Sequence, residues 1–247
     1  MYGRKTWFDI HLKGDRERLR QRPVRIHVMG AGEWREMDYW PPPARETRYF
    51  LHTRARLATE PPGAESPPDQ YRYDPSDPTP AVGGAFLGRR GAGPQDNRAL
   101  EARPDVLYYT TPPLEDDVEV IGPVRLELFV QSSLAYTDFF GRLCDVEPDG
   151  RSINVCDGLF RVEPGKGELQ PDGSLCIEVD MWATAYRFQP GHRIRLQVSS
   201  GAHPRWSRNL GTGEWVATGK RMTVAQQSVY HDAGHPSALV LPIVYAQ

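Results

Sequence analysis

The sequence predicts an all-β protein, and three observations lead to this fold class. Several segments alternate apolar and polar residues with a period of two, as half-buried strands of antiparallel sheets do. Glycine and proline contribute 23 residues each to a chain of 247, which is too many for a helical protein. Turn sequences separate the alternating segments. Many short strands between turns predict a sandwich, a jelly roll or a barrel.

The chain begins with its one segment of helical pattern. Trp7, Phe8, Ile10 and Leu12 fit one or two turns of an amphipathic helix, and Gly14 is a suitable end for it. A helix this short is not stable by itself in water. It therefore needs a packing partner, which this pattern alone does not identify.

The predicted strands follow in order along the chain. In the clearest one, residues 124–131, apolar residues from Val124 to Val130 occupy one side, and Arg125, Glu127 and Gln131 occupy the other. The other predicted strands are residues 24–29, 47–52, 175–180, 192–200 and 237–244. Turns are predicted at the two Pro-Asp-Gly sequences, 148–150 and 171–173, and at Pro190–Gly191.

Two long segments are predicted to be loops. Residues 54–70 are rich in proline, glutamate and alanine and predict a variable surface excursion. Residues 83–105 carry Arg89, Arg90, Arg98 and Arg103. That second loop is either another surface excursion or a clasp on a neighbouring surface.

The charge and the cysteines limit the class of protein. The net charge of −2 gives no electrostatic reason to expect a nucleic acid or a membrane as partner. No apolar run approaches the ~18 residues of a membrane span, and no secretory signal is evident. The three cysteines form no CxxC pair, which indicates a reducing compartment. We therefore expect a cytoplasmic location.

Cys144 and Cys156 flank one predicted turn and are expected to be free, buried thiols. A two-residue turn at Asp149–Gly150 would place Cys144 opposite Val155. One extra bulge residue would instead bring the two cysteines opposite each other.

Motifs of known catalytic chemistry are absent from the sequence. It contains no GxSxG elbow, HExxH, P-loop or GxGxxG fingerprint, and the glycine-rich residues 83–88 neither follow a predicted strand nor precede a helix. His231 and His235 have a helical metal-ligand spacing, but Gly234 and Pro236 make a helix there unfavourable. Adjacent His231 and Asp232 would point apart on an extended chain, unlike the members of a triad. We expect no catalytic, metal or cofactor site.

Two segments combine tryptophan and arginine, the residue types that dominate interface hot spots. They are residues 34–43 and 199–215. Trp206 could instead fold back onto its own sheet. The candidate interface or cleft residues are Trp7, Phe8, Trp34, Trp40, Arg205, Trp206, Arg208 and Asn209.

Eight phrases in the same order give the chain a resemblance to a known family. They are Trp7–Gly14, Val24–Glu36, Tyr73–Gly84, Glu101–Val124, Thr137–Gly158, Phe188–Ser200, Pro204–Gly213 and Val229–Val244. Together they resemble the C-terminal region of the cocaine esterase / Xaa-Pro dipeptidyl-peptidase (CocE/NonD) group of serine hydrolases. The loop Arg54–Gln70 and the two cysteines, Cys144 and Cys156, depart from the family pattern.

The resemblance implies an architecture and a partner. Members of this group have an α/β-hydrolase domain with Ser, Asp and His, a helical cap, and a C-terminal jelly-roll (galactose-binding-like) β-sandwich. Residues 1–22 would be the last helix and linker of the hydrolase domain, and residues 23–247 the jelly-roll domain. All three catalytic positions would precede this sequence, so the chain alone is expected to be inactive, with an α/β-hydrolase catalytic domain as its partner.

A second interpretation is a free-standing carbohydrate- or protein-binding jelly-roll module, since exposed tryptophans such as Trp34, Trp40, Trp206 and Trp215 stack well on sugars. The two interpretations differ in what they predict for the surface. A missing neighbour predicts an exposed apolar patch that involves Trp7, Phe8 and residues near Trp206.

Overall fold

A computed structural model describes residues 4–15, 22–64, 66–86 and 91–245 of the chain. It contains an N-terminal helix, α1 (Arg4–Lys13), and a single short helical turn, α2 (Arg98–Glu101). The strands are β1 (Val24–Val28), β2 (Glu33–Met37), β3 (Arg45–His52), β4 (Arg56–Ala58), β5 (Asp69–Tyr73), β6 (Leu107–Thr110), β7 (Val118–Ser132), β8 (Thr137–Val146), β9 (Ser152–Val162), β10 (Glu168–Leu169), β11 (Leu175–Phe188), β12 (Arg193–Ser199), β13 (Ala225–Tyr230) and β14 (Ala238–Ile243). The all-β prediction and the N-terminal helix are confirmed.

Two sheets account for these strands. β1 and β2 form an antiparallel hairpin of their own. The other twelve strands form one sheet, in which ten follow the order β10-β11-β7-β14-β3-β4-β6-β12-β8-β9. The remaining two lie off this path, with β13 paired to both β7 and β5. Among the pairs of this larger sheet, only β4 with β6 is parallel. The arrangement is an antiparallel β-sandwich.

The core lies between two groups of strands that pack face to face. Val124, Leu126, Leu128 and Val130 project from β7 into the same apolar cluster as Leu196, which projects from β12. These are the inward positions that the alternating pattern predicts, and their neighbours on β7 are only half-buried. Burial of about 25 cal/mol for each Å² of apolar surface makes this cluster the main stabilising element of the fold.

The N-terminal helix shows only part of the predicted amphipathic behaviour. Ile10 is buried, whereas Trp7, Phe8 and Leu12 are all about half exposed or more. Gly14 follows the helix with a left-handed φ of +77°, as a helix C-terminus favours. Exposed Trp7 and Phe8 agree with the predicted apolar surface. No contact between these two residues and Trp206 is seen in the described part of the chain.

The predicted loops are partly wrong. Residues 54–70 contain β4 and the start of β5, and residues 83–105 contain α2. Arg98 and Arg103 pair with Asp96 and Asp105 within the loop, and Arg89 and Arg90 lie outside the described residues. The clasp on a neighbouring surface therefore stays a prediction. Short strands such as β4 lack enough residues to show a period of two.

A cluster of charged side chains holds the small hairpin to the large sheet. Glu119 on β7 accepts hydrogen bonds from Arg35 on β2 and from Arg187 on β11, at 3.0 Å for each Nη2. Glu33 pairs with both arginines as well. The cluster borders a cavity of about 720 Å³ near Tyr49 and Tyr245. Each charged group named here has a partner, so we interpret the cluster as structural.

Among the described residues, no helix is long and apolar enough to cross a membrane.

Candidate functional site: an aromatic groove

A groove of about 600 Å³ lies between the small hairpin and the large sheet. We call it the aromatic groove; the residues that define it are Met29, Trp40, Ala85, Trp182, Thr184 and Arg205. Two of these, Trp40 and Arg205, are among the candidates predicted from the sequence. The structure therefore brings together residues 165 positions apart in the chain.

The hairpin forms one wall because Met29, the residue directly after β1, is bound to β11. The N–H of Met29 donates to the carbonyl of Ala185 at 2.9 Å, and the N–H of Arg187 donates to the carbonyl of Met29 at 2.9 Å. Ile26 and His27 of β1 also line this wall. The groove is therefore a joint between the two sheets.

The opposite rim is a β-bulge in β11 that exposes Trp182. The pairing of β11 with β7 shifts register between Asp180 and Ala183. At the bulge Trp182 has a φ of +65°, its N–H donates to Asp180 Oδ1 at 2.8 Å, and its side chain is 67% exposed. A left-handed non-glycine residue costs roughly 1–3 kcal/mol. An exposed tryptophan held in this conformation points to a contact that the isolated chain does not make.

Thr184, two residues after Trp182, has a side-chain hydroxyl without a hydrogen-bond partner among the described residues. Thr184 is only 5% exposed. A buried hydroxyl without a partner costs about 1–3 kcal/mol. Thr184 lines the groove, but its Oγ1 has almost no accessible surface, so a group bound in the groove does not reach it.

A buried ion pair forms the floor. Arg142 on β8 is fully buried, and its Nη2 donates to Asp157 Oδ2 on β9 at 2.9 Å. Arg142 Nη1 also donates to Asn97 Oδ1 at 2.7 Å. Arg205 pairs with the other carboxylate oxygen of Asp157. Two guanidinium groups thus share one carboxylate, which leaves one positive charge in excess among the three.

Arg205 links this floor to Trp206. The guanidinium lies over the Trp206 ring at 4.1 Å, and that ring packs edge-on against Phe140 at 5.5 Å between centroids. Trp206 therefore folds back onto its own sheet, which is the second of the two alternatives for this residue. It fixes Arg205 and is not itself an open contact residue.

The glycine pair in residues 83–88 fits tightly over the floor. Gly83 and Gly84 have φ values of +69° and +92°. A Cβ would lie 2.2 Å from Asn154 Oδ1 at Gly83 and 2.6 Å from Arg205 Nη1 at Gly84. These glycines lie in no nucleotide-binding motif. Their lack of a side chain lets the backbone approach Asn154 and Arg205 closely.

The remaining candidates lie elsewhere. Trp34 is exposed on the hairpin, with His27 against one side and Arg25 over its ring. Asn209 is buried and donates to Asp138 Oδ1 at 2.8 Å, while Arg208 donates to the carbonyl of Pro75 at 3.0 Å. Arg208 and Asn209 thus hold the 199–215 loop in place through internal hydrogen bonds.

The cysteines are free thiols, as expected. Leu143 is opposite Cys156 and Cys144 is opposite Asn154, because the ladder shifts register between them. A bulge is present, but it does not pair the two cysteines. Burial raises the pKa of both thiols well above the ordinary value, so neither has the thiolate character of a nucleophile.

A serine, a histidine and an aspartate do converge, but only His231 was a candidate from the sequence, and there its neighbour was Asp232. Ser66 Oγ lies 3.0 Å from Nδ1 of His231, and Asp69 Oδ2 lies 3.1 Å from Nε2. Tyr109 also donates to Asp69 at 2.8 Å. Within the described residues the two cavities reported above include none of these side chains in their linings.

This arrangement differs from a hydrolytic triad in its setting. His231 is buried, so a substrate has no access to its ring, and Asp69 is the more exposed end. Burial by itself would lower the pKa of His231, but the hydrogen bond and the charge of Asp69 outweigh it and raise the pKa. A general base needs a pKa near the operating pH and contact with the substrate. We interpret the three residues as a tie between the 54–70 segment and β13.

His235 is part of a separate turn. Its ring lies 3.0 Å from Asp172 and 3.1 Å from Asp232, so it stabilises the turn that these residues form. No group of three or more potential metal-ligating side chains occurs in the part of the chain that the structure describes.

Trp182 and Thr184 line the groove but were not among the candidates predicted from the sequence. A weak signal was present for Trp182, because continuing the predicted strand 175–180 with its period of two places Trp182 on the same outward side as Asp180. The bulge itself has no local sequence signal. The exposure of Trp182 on the rim of the groove therefore depends on the register of β11 against β7.

Comparison with known proteins places the chain in a family. Residues 19–240 match the X-Pro dipeptidyl-peptidase C-terminal non-catalytic domain. The chain is 41% identical over 259 residues to a cocaine esterase from Rhodococcus sp. (strain MB1 Bresler), a match that covers 97% of this chain and 45% of the esterase. The chain thus spans less than half the length of this relative.

Solved structures of hydrolases contain the same fold over nearly the whole of this chain. An aminopeptidase from a marine sediment archaeon, Thaumarchaeota archaeon, superposes with a TM-score of 0.84 at 26% identity and covers 97% of this chain and 43% of its own. An α-amino acid ester hydrolase gives a TM-score of 0.83 at 25% identity, with 96% and 44% covered. The chain therefore belongs to the X-Pro dipeptidyl-peptidase C-terminal non-catalytic domain family, the β-sandwich part of CocE/NonD-type hydrolases.

Proposed function

We propose that this chain is the supporting β-sandwich of a serine hydrolase that acts on esters or amides. In this proposal residues 1–22 are the end of an α/β-hydrolase domain and its linker, and residues 23–247 support that domain and shape one wall of the substrate cleft. The chemistry, acyl transfer to water, belongs to the partner domain and not to this chain.

The observation that carries the proposal is the match to a C-terminal non-catalytic domain over most of the chain, at less than half of the relative's length. The names of the relatives describe ester and peptide hydrolysis. The exposed Trp7 and Phe8 of α1 support it further, because apolar side chains on so short a helix need a partner surface.

The first test measures turnover by the chain alone. We expect no hydrolysis of p-nitrophenyl acetate or of an Ala-Pro anilide above the buffer rate. Ser66 is the serine to change, because Ser152, Ser199 and Ser200 are all buried. Turnover by the purified chain that Ser66→Ala abolishes would show that the Ser66–His231–Asp69 tie is catalytic, and would overturn the proposal.

The second test restores the missing partner. This chain is fused behind the hydrolase region of the Rhodococcus cocaine esterase, in place of the region that it matches. We expect the fusion to hydrolyse p-nitrophenyl acetate and the isolated chain not to. A folded fusion without activity would contradict a supporting role.

A further inference from the structure

The charged cluster between the small hairpin and the large sheet borders a cavity of about 720 Å³, to which the proposed function assigns no role. The cavity lies where β3 and β7 begin and β14 ends, and Thr47, Val118 and Ile243 of these strands line it. Its volume is within the range of small-ligand pockets, roughly 300–1,000 Å³. The side chains around it determine which kind of ligand it suits.

The charges beside the cavity leave one carboxylate without a partner. Arg35 and Arg187 each pair with both Glu33 and Glu119, so these two positive and two negative groups compensate each other. Asp117 also lines the cavity, and its side chain forms no ion pair or hydrogen bond with any residue that the structure describes. The cavity therefore has one uncompensated negative charge.

Tyr49 adds a hydroxyl that is deep in the fold and has no partner. The residue is 8% exposed because it belongs to the main apolar cluster, yet it lines the cavity. Its hydroxyl makes no hydrogen bond to a described residue, and it is not fully enclosed, unlike Thr184 Oγ1. Burial, together with the neighbouring Tyr245, raises the pKa of Tyr49 to about 12. The hydroxyl is thus neutral at physiological pH, and its oxygen can accept a hydrogen bond from a ligand.

Tyr245 contributes an open aromatic ring to the same cavity. It follows β14, lines the cavity and is 60% exposed. The face of such a ring attracts a cation that lies within about 6 Å of its centre. A carboxylate without a partner, a hydroxyl oxygen and an aromatic face are together what an ammonium group needs, whereas an anion would be repelled by Asp117.

We propose that this cavity binds an organic cation with a primary ammonium group, with Asp117 as its counter-ion, Tyr49 Oη as a hydrogen-bond acceptor and Tyr245 as the aromatic face. The inference goes beyond the proposed function and does not depend on it, because every residue that it uses belongs to this chain.

The test is a calorimetric titration of the chain with phenethylammonium at neutral pH and low salt. 2-Phenylethanol is the matched probe, since it has the same size with a hydroxyl in place of the ammonium group. We expect a dissociation constant on the order of 1 mM for phenethylammonium. The alcohol should bind at least about fivefold more weakly, because it lacks the charge-assisted contact to Asp117. Added salt should weaken the binding of phenethylammonium alone.

Asp117→Asn removes the counter-ion from an exposed position, so the chain should fold as before. The variant should raise the dissociation constant of phenethylammonium about threefold to tenfold. Asp116→Asn is the matched control, because Asp116 is the adjacent exposed carboxylate and does not line the cavity. It should change the constant less than about twofold.

Two tyrosine variants test the other contacts. Tyr49→Phe keeps the ring in the core and removes only the hydroxyl, so it should leave the unfolding midpoint unchanged and weaken binding about threefold to tenfold. Tyr245→Ala should weaken binding about twofold to fivefold, the range for a cation over an exposed ring. Tyr39→Ala is its control, because Tyr39 is similarly exposed at 58% and lies outside the cavity lining. It should leave the constant unchanged.

Three results would overturn the inference. The first is the lack of saturable binding of phenethylammonium at ten times the expected constant. The second is equal binding of 2-phenylethanol, which would show that the cavity takes the ring and not the charge. The third is an equal effect of Asp116→Asn and Asp117→Asn, which would mean a diffuse acidic field in place of a site. None of these results bears on the proposed function, which the turnover and fusion experiments test separately.

Discussion

Two outward-facing surfaces of the large sheet are built from opposite kinds of side chain. On one, Arg48 and Glu127 form a pair with two hydrogen bonds of 2.5 and 2.8 Å, and Arg125 binds Glu46 at 2.8 and 3.2 Å. These pairs lie on β3 and β7, on either side of Val240, which is buried. On the other surface, the aromatic groove presents tryptophan, methionine and alanine.

The difference teaches how to interpret an outward strand position. Where it carries a charge with a partner of opposite sign, water is a sufficient neighbour and the pair adds little stability. Where it carries a largely exposed tryptophan such as Trp182, a large apolar surface stays in contact with water. The two surfaces also differ in their support, since a fully buried ion pair lies beneath the groove. We expect the cost of breaking an ion pair, measured as free energy of unfolding, to fall as the pair becomes more exposed.

The largest effect is expected for Asp157→Ala, beneath the groove. The change leaves the fully buried guanidinium of Arg142 without its carboxylate partner. Removal of one member of a buried pair costs about 3–5 kcal/mol. Urea unfolding should report this loss in the free energy of unfolding. Asp116→Ala, which removes an exposed carboxylate from the segment before β7, is the control; a loss below about 1 kcal/mol for Asp157→Ala would contradict the role of this pair.

An intermediate effect that depends on pH is expected for Asp69→Asn. The pKa of His231 is raised in the folded chain, so the stabilisation is fully present below its ordinary value of 6.5 and is lost as the pH rises through the raised value. Burial would raise the pKa of Asp69, but hydrogen bonds from His231 and Tyr109 outweigh it and lower the pKa. The contribution of Asp69 is therefore present above its ordinary value of 3.8 and is lost as the pH falls through the lowered value.

The pair should thus stabilise the chain most between these two values. Asp69→Asn should cost on the order of 1 kcal/mol at pH 5.5 and distinctly less at pH 8.5, measured by urea unfolding. Ser66→Ala is the control, because it removes the loop contact and keeps the ion pair; its cost should be similar at both pH values. An equal cost of Asp69→Asn at the two pH values would show that charge plays no part in the tie.

The smallest effect is expected for Glu127→Gln on the charged surface. Its partner Arg48 is about half exposed, and Glu178 lies directly opposite Glu127 on β11, where like charges repel. The change in the free energy of unfolding should be within about 0.5 kcal/mol of zero, because the lost attraction and the relieved repulsion offset each other. A loss above about 2 kcal/mol would mean that this surface is not solvated as the comparison assumes.

Much of the fold was predictable because its information is local. β12 and residues 124–131 of β7 alternate strictly, and the period of two identified Val124, Leu126, Leu128 and Val130 as inward residues. Val120 and Ile121, at the start of β7, are also buried but follow no alternation. β8 was not predicted as a strand from its pattern. All ten of its residues are buried, among them Arg142, Asp138 and Asp145, so no alternation marks it. A strand buried on both sides with charges inside is recognisable only once its partners are known.

The site was less predictable than the fold. Trp40 and Arg205 were named for their residue types, and they do meet in the groove. Arg208, Asn209 and Trp206 have the same residue types, yet internal partners hold them. Trp182, the most prominent residue of the rim, was not among the candidates, because its exposure results from a bulge.

By itself the sequence determined the all-β class, the N-terminal helix, the inward face of the alternating strands and the family. The tertiary structure decided which tryptophan is open and which is folded back, and it brought Ser66, Asp69 and His231 together. The physical reason is the range of the interactions. The side-chain period of a strand is set by adjacent residues, whereas a hydrogen bond such as that between Ser66 and His231 joins residues 165 positions apart.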